Sequence, residues 1–205
     1  MLGKESYEDP RVKTVFTGCW APLIENGYFI EDPAAYTWQE GLNFLSNGDA
    51  AMYLMGDFLR DVYPAEEVDK IDFFQFPIID PDVPIGEDAP TDGYFIAANA
   101  QHTEAAKEFL AYLGSLEGQQ FFADSLGRLP TNMEVDTSGF TEQQLKGLDL
   151  IQRADFVAQF YDRDTTPEMA DEGMNGMMEF WDNPENIDEI LGRLEASRQE
   201  IFAEE

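Results

Sequence analysis

The sequence predicts an α/β protein, rich in helix and built around a small mixed sheet. Two observations carry that prediction. Three short apolar stretches, 50–55, 71–76 and 93–98, are bounded by Gly or Pro and read as strands. Most of the remaining chain spaces its apolar residues at helical intervals. Helices exceed strands, so a strict strand–helix alternation is not expected.

Asp9-Pro10 opens a first helix whose apolar stripe is Val12, Val15, Phe16, Cys19, Trp20, Leu23 and Ile24, and Asn26-Gly27 closes it. Thr37 caps the next, with Trp38, Leu42, Phe44 and Leu45 as its buried side up to Gly48. Ala50 to Met55 then reads as a buried strand, after which Gly56 presents Phe58 at the rim of a cleft, as a platform for a flat ligand face. Asp57 to Tyr63 suits a short helix stopped by Pro64, and Ile71 to Phe76 a strand ending at Pro77.

Pro81, Pro84 and Pro90 mark 78–91 as a surface loop. A third strand is expected over Gly93 to Ala98. Thr103 caps a helix over Glu104 to Gly114, with Ala105, Ala106, Phe109, Leu110 and Leu113 turned inward. Ser115 opens another, Glu117 to Leu126, which Gly127-Arg-Leu-Pro130 ends. From about 141 to 203 the pattern is helical, interrupted at Pro167 and Asn183-Pro184.

Composition narrows the function. The 205 residues are 43% hydrophobic and 13% aromatic, enough for a packed core. Acidic residues outnumber basic ones 42 to 12, for a net charge of −30. Such a surface repels nucleic acid and anionic lipid, and its even spread reads as a solvated acidic coat of the kind suited to saline habitats. Cys19 is the single cysteine and His102 the single histidine, which excludes an intramolecular disulfide and a Cys/His zinc site. Counting leaves a Cys19–His102 nucleophile pair open, but Cys19 lies in an apolar helical run that suits the core. No run of apolar residues is long enough to span a membrane.

Enzyme templates fail in turn. The chain has no phosphate-binding Gly-Lys-Ser/Thr loop and no Gly-x-Ser-x-Gly elbow. Asp162-Arg-Asp164 begins like a calcium loop, yet Thr166 and Pro167 stand where a ligand and a Gly are needed. Neither a metal nor a cofactor is expected. A paired-carboxylate glycoside hydrolase or lyase remains the alternative, although so many acids make any one pair unspecific.

Binding of a neutral sugar or polyol fits better. Sugars present apolar C–H faces and rings of hydroxyls, which aromatic platforms flanked by carboxylates and Arg recognise. The candidates sit at the ends of elements: Phe58 beside Asp57, Tyr94 beside Asp92 and Gly93, Arg128 in a Gly-rich turn, Tyr161 beside Asp162, and Asp171. Trp20, Trp38 and Trp181 lie on helical stripes and read as core.

Taken in order, several segments resemble the extracellular solute-binding proteins of bacterial ABC importers, in the sugar-binding family that includes the maltose-binding proteins. They are Phe44 to Phe58, Phe76-Pro77, Thr91 to Asn99, Glu104 to Leu113, Gln119 to Ala123 with Gly127 to Thr131, and Asn183 to Leu191. The resemblance covers most of the chain but only the later half of such a protein. It implies part of a type II periplasmic-binding-protein fold, mainly the C-terminal lobe. Residues 1–92 would be a C-terminal-lobe segment with strands, 93–130 a hinge-crossing strand and helices packed on the first lobe, and 131–205 a helical segment of the C-terminal lobe.

It further implies capture of a carbohydrate between lobes that close by hinge bending, delivery to the permease subunits of the transporter, and a periplasmic or extracellular location, the signal sequence being absent from this fragment. Residue by residue, Phe58 falls where the family often has a stacking Trp, Asp92, Gly93 and Tyr94 on a strand lining the cleft, and Arg128 in a turn that meets ligand hydroxyls. Helices over 103–126 would lose their partner lobe, so their apolar face is expected to be covered either by a rearranged helix or by self-association with another copy of the chain.

Overall fold

A computed structural model of the chain describes residues 4–64 and 66–203, so the outer ends of the segments 1–92 and 131–205 lie outside the described residues. The chain divides into two compact units. One joins the residues up to Gly56 with those from Phe160 onward, and the other runs from Asp57 to Gln159.

The first unit is helical. Asp9 caps α1 (Pro10–Val15), its carboxylate accepting from the Arg11 backbone N–H at 2.8 Å. The helix continues through a wider π-helical turn, Phe16–Trp20, into α2 (Ala21–Glu25), and Gly27 ends the run with φ +67°. At α3 (Trp38–Asn47) the Thr37 hydroxyl accepts from the Glu40 N–H while the Glu40 carboxylate accepts from the Thr37 N–H, a reciprocal capping box. Gly48, at φ +80°, closes that helix.

α7 (Pro167–Asp182) and α8 (Ile187–Ile201) complete the unit. Their close approach depends on Gly176, where a Cβ would stand 3.1–3.3 Å from Leu194 and Ile190. Around that contact lies the core: Tyr7, Ala21, Met169, Phe180, Ile187, Ile190, Leu191 and Leu194, joined by Phe16, Trp20 and Ile24. Phe180 is completely buried, and the Phe16 ring meets it edge-on at 4.9 Å. Lys13 on α1 bridges to Asp188 on α8 at 2.6 Å.

In the second unit, α4 (Thr103–Gly114), α5 (Leu116–Leu126) and α6 (Glu142–Arg153) accompany two short strands, β1 (Gly86–Asp88) and β2 (Phe156–Ala158). The strands pair in parallel, with Gly86 opposite Phe156 and Asp88 opposite Ala158. The Phe156 ring lies over Gly86 where a Cβ would stand, so a larger residue there would have to displace that exposed ring. A small core of Ala123, Val135 and Phe140, with Leu129 against it, lies between α5 and the segment leading to α6.

The helix-rich class with a small sheet is present, but the strands are not where the sequence placed them. Among the described residues the sheet is the β1–β2 pair alone, and none of 50–55, 71–76 or 93–98 joins a ladder. Nor is 50–55 buried: Met52 and Leu54 are 69% and 73% exposed. A strand needs a partner as well as a pattern, and these stretches find none within the described residues. β1 instead lies inside the proline-rich 78–91, where backbone pairing to 156–158 outweighs composition. Thr103 is the first residue of α4 and not its cap; His102 occupies that position, and the Thr103 hydroxyl donates to the Ala100 carbonyl at 3.1 Å. Along α4, Leu113 is buried while Ala105 and Phe109 are exposed, so the inward face is narrower than expected.

Candidate functional site

Asp57 and Phe58 begin a 3₁₀ turn, Asp57–Asp61, that also carries Arg60 and Asp61. Tyr63, buried just beyond it, donates its N–H to the Leu59 carbonyl at 2.9 Å and anchors the turn. Phe58 is half-buried and Asp57 exposed. Position 58 therefore offers part of an aromatic ring to solvent, next to a carboxylate.

Arg128 reaches the same turn. Gly127 ends α5 at φ +67°, redirecting the chain at a conformation that suits glycine. Leu129 is pinned to the small core, and the Gln119 carboxamide oxygen accepts from the Thr131 N–H at 2.9 Å. Between these two anchors the Arg128 guanidinium donates to the Asp61 carboxylate. The ion pair joins positions 67 residues apart and brings two of the sequence-derived segments, 57–58 and 128, into one place. Both partners remain partly exposed, at 42% and 45%, so the donors and acceptors are open to a polar solute.

Asp92, Gly93 and Tyr94 belong to the same unit and are exposed, Tyr94 at 62%. A Cβ at Gly93 would sit 3.0 Å from the Phe95 ring. Tyr161, Asp162 and Asp171 belong to the other unit. Tyr161 opens a 3₁₀ turn, Tyr161–Arg163, and packs on the helical core. Its hydroxyl donates to the Met169 carbonyl at 3.1 Å and lies 2.6 Å from the Tyr7 hydroxyl, which leaves Tyr7 as donor. Burial raises the Tyr161 phenol above its ordinary range. Asp162 and Asp171 are both exposed, the latter on α7.

Sequence reasoning missed Asp61. Its signal was faint: an acid four residues after Asp57, in a segment read as a short helix, with no hint of its distant cation. A cavity of ≈ 360 Å³ in the second unit is lined by Gln75, Ile85, Leu150 and Arg153, none of them named from the sequence. The Gln75 carboxamide donates to the Glu87 carboxylate within that unit. Among the described residues, no cluster of His, Cys, Asp or Glu is arranged to hold a metal ion, and no helix is long and apolar enough to cross a membrane.

Of the candidates named from the sequence, the structure brings together Asp57, Phe58 and Arg128, through the turn that carries Asp61. The model of the bacterial extracellular solute-binding protein family matches residues 12–120, and the chain belongs to this family. Two curated relatives are uncharacterized ABC transporter extracellular-binding proteins of Pyrococcus horikoshii. PH1214 is 33% identical over 135 residues, 65% of this chain and 29% of the relative, and PH1039 is 24% identical over 94% of this chain and 43% of the relative.

A crystal structure of the bacterial solute receptor AcbH, described as having an exclusive substrate preference for β-D-galactopyranose, superposes with a TM-score of 0.90 at 29% identity. That match covers 97% of this chain and 52% of the receptor. The chain thus spans about half the length of that receptor, and less of the curated relatives.

Proposed function

We propose that the chain is part of the substrate-capturing component of an ABC import system, that its solute is a carbohydrate, and that it works outside the cytosol by passing the solute to a membrane permease. The observation that carries this reading is the Arg128–Asp61 pair beside Asp57 and Phe58, on a backbone that follows a galactopyranose receptor closely. Arg and carboxylate groups offer directional hydrogen bonds to hydroxyls, and Phe58 offers a face for the apolar side of a pyranose. Asp92, Gly93 and Tyr94 in the same unit, and Tyr161, Asp162 and Asp171 in the other, are further proposed sugar contacts, each by its own polar or aromatic group. The work is selection by contact and involves no bond-making chemistry.

The segment assignments belong to the same proposal, with 93–130 as the part that crosses toward a first lobe. Exposed Phe109 on α4 and Phe121 on α5 support it, since they leave those helices open to a first lobe or to a second copy.

A single wall binds weakly, with an expected Kd on the order of 1 mM or above. The test is therefore NMR of the aromatic-labelled and Arg-labelled chain titrated with D-galactose, with an amino acid as control solute. Shifts confined to Phe58, Tyr94 and Arg128, absent with the control, are expected. Galactose shifts elsewhere, or none at saturating sugar, would overturn the reading. Release of reducing sugar from oligosaccharides would replace it with a glycoside hydrolase or lyase.

A further inference from the structure

Among the side chains named as sugar contacts, Arg128 is the single cation, against the carboxylates of Asp57, Asp92, Asp162 and Asp171. A solute with a negative charge of its own therefore has one such group to turn to. That group is already engaged, because its guanidinium donates to the Asp61 carboxylate. The backbone sets both ends of the pair. Gly127 and the Gln119–Thr131 hydrogen bond place Arg128, and the 3₁₀ turn anchored at Tyr63 places Asp61. Arg60 shares that turn with Asp57 and Asp61, so the turn and Arg128 together hold two guanidiniums and two carboxylates. The local charge is zero.

Resting on the sugar reading above, we propose that Asp61 sets the charge class of the solute: by occupying Arg128 it bars acidic sugars and leaves the place to neutral ones. A guanidinium has five N–H donors, so a neutral hydroxyl accepts from one that Asp61 does not use and gives its own proton to a carboxylate oxygen. A sugar carboxylate can only accept. To take Arg128 in a two-bond grip it must displace Asp61, and it then lies beside two carboxylates of a chain that carries −30. The selection comes from a repulsive group set next to the attractive one. Asp61 thus acts on which sugar is held, and sequence reasoning had no reason to name it.

NMR of the Arg-labelled and aromatic-labelled chain tests this with D-galacturonate and its methyl ester, which keeps the ring and removes the charge, and with D-galactose as reference. Galactose and the ester should shift Phe58 and Arg128, and galacturonate should bind at least about tenfold more weakly than the ester at low salt. Asp61→Asn makes the local charge positive and should raise the galacturonate-to-ester affinity ratio by about tenfold. That rise should shrink toward about 1 M salt, where the screening length falls to about 3 Å. Asp61→Glu keeps the charge and should leave the ratio low. Both variants should retain the far-UV circular dichroism of the unmodified chain, since the pair is partly exposed.

Galacturonate bound as tightly as its ester by the unmodified chain overturns the proposal and leaves the sugar reading standing. A ratio unmoved by Asp61→Asn overturns it too, as does one raised equally by Asp61→Glu. No shift with any of the three solutes removes the sugar reading, and this inference with it.

Discussion

The hydroxyl of Tyr7 lies 2.6 Å from that of Tyr161, joining the segment before α1 to the turn before α7 across 154 positions. Tyr161 passes the chain of hydrogen bonds on to the Met169 carbonyl. Its removal therefore takes the Tyr7 hydroxyl's bond and one of the two bonds to the Met169 carbonyl, which as a residue of α7 keeps its helical one, whereas removal of the Tyr7 hydroxyl leaves Tyr161 with a partner. Tyr7→Phe should cost about 1 kcal/mol and Tyr161→Phe about 1–3 kcal/mol. Trp20, Trp38 and Trp181 all lie in this unit, so tryptophan fluorescence in urea reports its unfolding. The reverse order of the two costs would refute the assigned direction of the hydrogen bonds.

Glu195 is the buried carboxylate beneath this link. It accepts from Arg198 at 2.6 and 2.9 Å, from Gln199 at 2.8 Å and from the Tyr7 N–H at 3.0 Å. The Arg198 guanidinium is the main cause of its pKa, lowered to about 2 against the pull of burial. A carboxyl that is more acidic folded than unfolded adds stability above the unfolded pKa of about 4.3, and loses it as pH falls toward about 2. Relief of acidic repulsion acts oppositely across the whole chain, so the informative quantity is a difference. The stability of the unmodified chain minus that of Glu195→Gln should be constant above pH 5 and shrink between about pH 4.5 and 2. A flat difference across that window would show that Arg198 does not tune Glu195.

Gly173 on α7 faces the Tyr161 ring so closely that a Cβ would overlap it. Gly173→Ala should destabilise by about 1–3 kcal/mol through overpacking. In a Tyr161→Ala background the same change should become neutral or stabilising by up to about 1 kcal/mol, because Ala outranks Gly inside a helix. Denaturation of the four proteins forms a double-mutant cycle, and additive costs would contradict the contact.

The Arg128–Asp61 pair is partly exposed, and such pairs contribute about 0–1 kcal/mol. Arg128→Ala should lower the melting temperature by less than about 4 °C. Galactose-dependent NMR shifts at Phe58 should disappear in the same variant. A large stability loss with the shifts retained would make the pair a structural clasp and remove it from the proposed site.

Local signals were legible in the residues. The Asp9 cap, the Thr37–Glu40 box, the glycine ends at 27, 48 and 127, and Ser115 at the start of α5 each depend on neighbours within a few positions. Phe58 and Arg128 could be named because an aromatic or a cation within two residues of a glycine is visible in a short window. Their meeting through Asp61 was not visible, since 67 residues of chain separate the partners.

The residue order alone determined the helix-rich class, the acidic surface and the family likeness, because spacing, charge and caps are properties of short windows. Only the tertiary structure decided which apolar stretches pair, placing β1 within a proline-rich loop while 71–78 is left with one bare face. A ladder and a buried face each require a second segment brought from afar, and no window of sequence specifies what that segment will be.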